Sequence, residues 1–159
     1  MRRSDREVTD AGEIDGIIRR CSVCRVAMTD GEGRPYMVPL NFGYEWADGT
    51  LILYFHSAPE GQKIELLRQN PHVCVEMDGA HALKEGGHVA CEYSFYYESV
   101  IGFGQASFLD SPAQKEHALR LLMCHMTGRD DFSFSASELR GVAVFQIRVD
   151  EWTGKRRQG

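Results

Sequence analysis

Apolar side chains recur along this sequence with two different periods, and the switches between them outline the fold. Ile14, Ile17, Ile18 and Cys21 fall at i, i+3, i+4 and i+7, a single helical stripe. Asp10 and Glu13 have the spacing of a capping pair, so a helix is expected over about Asp10–Arg20. From Tyr36 the period becomes two. Tyr36, Val38, Leu40, Phe42 and Tyr44 share one face of a strand, and Met37, Pro39, Asn41 and Gly43 share the other. Asp30-Gly31-Glu32-Gly33 and Ala47-Asp48-Gly49-Thr50 flank this run as turns. Three strands of a meander are therefore expected at Ser22–Thr29, Tyr36–Trp46 and Thr50–Ser57.

A short helix should follow, with Pro59 near its first turn, Ile64 and Leu67 facing inward, and Asn70-Pro71 closing it. His72–Asp78 reads as a strand, Ala80–Cys91 as a loop without period, and Tyr93–Leu109 as a strand. Gly102 and Gly104 inside that last run mark a bulge, a barrel bend or a close ligand approach. Ser111-Pro112-Ala113-Gln114 opens a third helix as cap, first-turn proline and capping-box glutamine; Leu119, Leu122, Met123 and Met126 form its stripe, and Gly128 ends it. Val142–Glu151 is the final strand. Hairpins dominate over crossover helices, which argues against a doubly wound parallel sheet and for a small antiparallel barrel with helices outside.

Composition narrows the class. At 159 residues the chain is one domain, residues 1–159, and 18 Lys and Arg against 23 Asp and Glu give a net charge of −5. That balance argues against nucleic-acid binding, whose footprint is a clustered basic face. Arg2, Arg3, Arg6 and Lys155-Arg156-Arg157 lie at the two ends and read as solvated tails. No apolar run approaches the roughly 18 residues of a membrane span, and the start lacks the apolar core of a signal peptide, so a cytoplasmic location is expected.

Five cysteines at irregular spacing fit reduced thiols. Cys21 and Cys24 have metal or redox spacing without a second ligand pair. Cys21 completes the helical stripe, and Cys24 alternates with Val26 and Met28, so both read as buried apolar residues. His81, His88 and Cys91 sit in an unpatterned loop, and no metal site is expected. Gly102-Phe103-Gly104 lacks the third glycine of a dinucleotide turn and opens no helix.

One segment carries chemistry: Tyr54-Phe55-His56-Ser57-Ala58-Pro59-Glu60-Gly61-Gln62-Lys63. A strand ends in an imidazole and a hydroxyl, and a helix then starts with a lysine in its first turns. Free amides and the positive end of the helix dipole favour an anion there. Ser57 and Lys63 would complete a phosphate clamp; the alternative is an ordinary capped helix. On the neighbouring strand, Pro39 removes a donor and belongs at an edge or opening. Asn41 offers an amide on the same face of small and polar groups, which could accept a flat ring.

With Val38–Tyr44 (VPLNFGY), Tyr54–Lys63 (YFHSAPEGQK) and Ser99–Ala106 (SVIGFGQA) following the opening MRRSDREVTD in that order, nearly the whole chain resembles the Nim-type nitroimidazole-resistance proteins. These fall within the pyridoxamine 5'-phosphate oxidase-like flavin-binding split-barrel superfamily. The resemblance implies a mostly β fold with flanking helices, a six-stranded antiparallel split β-barrel, forming a homodimer with FMN at the subunit interface. It implies that Val38, Pro39, Leu40 and Asn41 run along the isoalloxazine ring and that His56 lies beside it. Ser57 and Lys63 would hold the phosphate, while Ser99 and Val100 reach the cofactor from the opposing strand, supplied by the partner subunit. Trp152 matches a C-terminal region that approaches the flavin. The sequence departs from the true oxidases in lacking their arginine-rich C-terminal substrate site.

The leading function is then an FMN-dependent oxidoreductase acting on nitroaromatic or related small molecules, with His56 as a proton donor. The competing function is a non-catalytic module that binds or senses flavin or haem, with His56 as a packing residue. Deazaflavin is a further cofactor used among split-barrel proteins.

Overall fold

Several switches of period in the sequence become boundaries in the structure. The computed structural model describes residues 3–158. In chain order these form β1 (Glu7–Val8), α1 (Ala11–Arg20), β2 (Cys24–Thr29), β3 (Pro35–Leu40), β4 (Gly43–Ala47) and β5 (Thr50–Ser57). They continue with α2 (Gln62–Gln69), β6 (His72–Lys84), β7 (Ser94–Phe108), α3 (Pro112–Thr127), α4 (Ala136–Gly141) and β8 (Ala143–Arg157). All strand pairs are antiparallel, and the order across the sheet is β3-β2-β6-β7-β8-β5-β4, with β1 added to the end of β8.

The expected six-stranded barrel is corrected to eight strands in a sheet that is not closed by hydrogen bonds. The two edge strands, β3 and β4, are consecutive in sequence, yet β3 pairs only with β2 and β4 only with β5. The expected strand Tyr36–Trp46 therefore breaks at Asn41-Phe42. The break has a packing cause. Phe42 is fully buried, its ring 6.5 Å from that of Phe55 and 4.6 Å from that of His125. Gly43 then passes so close to α3 that a Cβ there would overlap the backbone of Leu121 and Leu122. The meander is likewise corrected, because β2 turns its second edge to β6, Val26 facing Val75.

Three further expectations change. Ala80–Lys84 is not loop but the outer part of β6, re-paired with β7 after a register shift between Gly79 and Ala82. Pro59 lies in the bend before α2 rather than in its first turn. Lys155-Arg156-Arg157 is not a tail but strand, held between β1 and β7. Arg156 reaches Glu13 at 3.0 Å and the buried Glu98 at 3.4 Å, and Lys155 lies over the Tyr97 ring. At the other end, Arg3 pairs with Asp5, and Arg2 lies outside the described residues.

The main core fills the concave side of the sheet. Ile14, Ile17 and Ile18 of α1 meet Leu53, Phe55 and Phe145 there, all fully buried. Cys21 and Cys24 join this core, as their places in the two stripes require. Burial pushes the Cys21 thiol up to about 11, and desolvation raises Cys24 as well. A smaller cluster, including Tyr54, Leu119, Leu139 and Val144, packs α3 and α4 on the opposite face of β5 and β8. Gly102 and Gly104 mark a bulge: Phe103 faces Glu151 but Gly104 faces Val149, leaving Asp150 unpaired. No helix among the described residues is long and apolar enough to cross a membrane.

Candidate functional site

Three of the four α-helices close their own N-termini. Asp10 accepts from the Glu13 amide at 2.9 Å, Ser111 from Gln114 at 3.2 Å, and Ser135 shares a reciprocal capping box with Glu138. Helix α2 differs. Its cap position is Gly61, held at φ +126°, a left-handed conformation open to glycine, and no side chain caps the helix. Its first amides therefore have no intrahelical acceptor.

Beside this start ends β5. Ser57 is 8% exposed, and its Oγ is buried without a hydrogen-bond partner. Such an orphan costs about 1–3 kcal/mol unless something supplies the partner. Lys63 lies half-buried in the first turn of the same helix. A hydroxyl, open amides and an ammonium lie within a short stretch of chain from the end of β5 to the first turn of α2, a set of donors suited to an anion carrying several oxygens, such as a phosphate. The sequence pointed to Ser57 and Lys63 but missed Gly61. The signal was there: no Ser, Thr, Asp or Asn stands at the cap position, only glycine after Pro59-Glu60.

The remaining residues separate by face and by end. His56 is exposed and leaves β5 on the face opposite Ser57, across from Val144. The β4–β5 ladder begins at Gly43 opposite Tyr54, and Asn41 lies before it, in the break between β3 and β4. The Asn41 amide donates to the Ser22 carbonyl at 2.9 Å. Val38 and Leu40 pack against the core, whereas Pro39 and Asn41 face outward.

Ser99, Val100 and Trp152 lie elsewhere. Ala143 is the ladder partner of Ser57, and Trp152 stands nine residues further along β8, roughly 30 Å of extended strand. Val100 and Ser99 pair with Gly154 and Lys155, further still. Val100 is 1% exposed in the core, Ser99 is half-buried on the outward face, and Trp152 meets Trp46 edge-on at 6.3 Å. The chain thus carries its predicted site residues as two separate groups.

A second cluster escaped the sequence reading. Tyr54 Oη donates to Glu45 at 2.6 Å, and His117 Nε2 lies 3.1 Å from the same carboxylate. Burial opposes the charge on Glu45, but these two hydrogen bonds hold its carboxyl below the ordinary range. Desolvation and the anionic Glu45 together raise the Tyr54 phenol. The three residues tie α3 to β4 and β5. His81 pairs with Asp78 at 2.9 Å.

One row of the outward face of the sheet is apolar across four strands, next to the charged pair Arg25–Glu76. Met37, Ala27, Cys74 and Phe103 form one register row, with Met37 57% and Phe103 55% exposed and Ile101 nearby at 41%.

The model of the pyridoxamine 5'-phosphate oxidase family matches residues 10–156. The chain belongs to that family. Within it, this family member is similar to a candidate 5-nitroimidazole antibiotic resistance protein from Bacteroides thetaiotaomicron, with 42% identity over 94% of this chain and 85% of that one and a TM-score of 0.81. An FAD-binding protein from Mesorhizobium loti shares 27% identity over 94% of this chain and 96% of that one, with a TM-score of 0.63. The fold also matches an FAD- and haem-binding protein from Mycobacterium smegmatis at TM-score 0.81 and 20% identity, covering 97% of this chain and 74% of that one. No curated protein matches the chain.

Proposed function

We propose that this chain is a flavin-dependent oxidoreductase that holds FMN by its phosphate at the start of α2 and reduces nitroaromatic or related small molecules. The observation that carries the reading is the buried Ser57 Oγ, unpartnered among the described residues, beside a helix start that no side chain among them caps. The phosphate would accept from Ser57, the first amides of α2 and Lys63. Pro39 and Asn41, outward at the opening between the edge strands, would flank the ring. When bound, the flavin supplies electron transfer between a reduced donor and the acceptor. His56 contributes an exposed imidazole for proton donation to the reduced acceptor.

Assembly follows from the separation of the two residue groups. A flavin at Ser57 is beyond reach of Ser99 and Trp152 of the same chain, so those residues would serve the partner's flavin in a homodimer. The exposed apolar row through Met37 and Phe103 gives such a partner a surface to cover.

The test is spectroscopic and kinetic. Purified protein should carry a flavin absorption band and oxidise NAD(P)H with a nitroimidazole acceptor. His56→Gln should keep its flavin while losing about 10²–10⁴-fold in rate per bound flavin, the span of general acid–base catalysis. Flavin that no donor reduces would leave a binding module, and unchanged turnover per flavin in His56→Gln would make His56 a packing residue.

A further inference from the structure

The reduction proposed above leaves one proton without a source. Turning a nitro group into a nitroso group takes two electrons, delivered from a reduced donor through the flavin, and two protons, and it releases water. His56 supplies one proton. A second acid belongs within reach of the same acceptor.

Strand β7 carries a phenol in suitable surroundings. Glu98, Val100, Gly102 and Ala106 are its buried positions, so Tyr97, Ser99, Ile101 and Phe103 share the outward face. Tyr97 is half-buried, two residues from Ser99, and pairs with Arg157 of β8. Lys155 Nζ lies 5.6 Å from the centre of its ring, and Lys155 and Arg6 both stand beside its hydroxyl. Burial pushes the phenol up, but these two cations outweigh it and hold Tyr97 below the ordinary tyrosine range. Tyr44 and Tyr54 move the other way, chiefly through burial.

The charged neighbours come from every side of this cluster. Asp5 is bound by Arg3 at 2.7 Å and lies 3.8 Å from Arg6, and Glu7 of β1 pairs with Lys155 in the ladder. Arg157 donates to Ser94. On β6, Asp78 stands opposite Ser99 and is held by Arg25 at 2.6 Å and His81 at 2.9 Å.

Tyr97 is far from the flavin site of its own chain. From Ala143, the ladder partner of Ser57, to Arg157, the partner of Tyr97, runs roughly 45 Å of extended strand. It shares its face with Ser99 and with the apolar row through Phe103, the surface assigned above to the second copy. We propose that Tyr97 of one copy is the second proton donor, giving its phenol proton to the acceptor held at the flavin of the other copy, with Lys155 and Arg6 beside it. The phenolate left behind is balanced by the ammonium and the guanidinium and regains its proton from water. The proposal rests on the flavin and homodimer reading above and adds a residue to it.

The flavin-free protein gives the first test. Followed by the ultraviolet absorbance of ionised tyrosine, one of the six phenols should titrate below the rest. Tyr97→Phe should abolish that step, and Lys155→Gln should move it to higher pH. With flavin, Tyr97→Phe should bind FMN within about twofold of wild type, since no phosphate contact is touched, yet turn over about 10²-fold more slowly per bound flavin. A phenol donates only while protonated, so the wild-type rate should fall as pH rises through this ionisation, and Lys155→Gln should carry that limb upward.

Co-expression of Tyr97→Phe and His56→Gln chains tests which copy supplies the proton. One of the two sites in a mixed dimer holds both donors, so roughly a quarter of wild-type turnover should return. No recovery in mixed dimers, or Tyr97→Phe turnover near wild type, would overturn the proposal and leave the flavin reading standing. Flavin lost in step with turnover in Tyr97→Phe would make Tyr97 a packing residue and overturn it as well. Wild-type protein that binds no flavin would overturn both readings.

Discussion

Helices α2 and α3 both follow a strand and both begin with a proline nearby, yet they start in opposite ways. At α3 the chain satisfies its own amides: Ser111 caps, Pro112 occupies the first turn, and the adjacent sheet presses on the helix backbone at Gly43. At α2 the cap position is a glycine, the nearest hydroxyl is buried without a partner, and the first-turn cation is half-buried. A helix that serves packing closes its end with local side chains. On the proposed reading, the start of α2 leaves donors open for the flavin phosphate, and the flavin-free chain carries the cost of about one unsatisfied group.

The contrast can be broken from either side. The largest effect is expected at the packed helix: Gly43→Ala places a methyl against the backbone of Leu121 and Leu122 and should destabilise the flavin-free protein by about 3 kcal/mol, read by urea denaturation. Stability near wild type would show that α3 can shift away from β4. Next, Lys63→Ala should weaken FMN by about 2 kcal/mol, some thirtyfold, and leave flavin-free stability unchanged. An unaltered dissociation constant removes Lys63 from the site.

Smaller effects sharpen the distinction. Ser111→Ala should cost about 1 kcal/mol of stability through its lost cap, with FMN affinity intact. Ser57→Ala should do the reverse. Flavin-free stability should rise by about 1 kcal/mol, because a buried hydroxyl without a partner is removed, while FMN affinity falls about fivefold. Equal destabilisation by the two serine variants would erase the difference between the two helix starts.

Much of this was readable from the chain. The stripe Ile14, Ile17, Ile18, the Asp10 and Ser111 caps and the glycine end at Gly128 are local devices, and each formed where the spacing placed it. The segment His56–Lys63 stood out for the same reason, since strand end, hydroxyl, helix start and lysine are neighbours in sequence. Other features failed for want of a local signal. The outer part of β6 was hidden because Ala80–Lys84 has no alternation of its own and is held only by pairing with β7. The C-terminal basic run was hidden because its partners, Glu98, Glu13 and Ser94, lie far away along the chain.

The sequence by itself determined the periods, the caps and the chemistry of the α2 start, because these depend on residues within a few positions of one another. Only the tertiary structure decided that the sheet stays open between β3 and β4, since that turns on Phe42 entering the core and Gly43 meeting α3. Packing also decided that Ser57 is buried without a partner, and that Arg6, Tyr97 and Lys155 meet in one cluster. Burial and convergence are properties of surfaces brought together across the chain, and no spacing of residues encodes them.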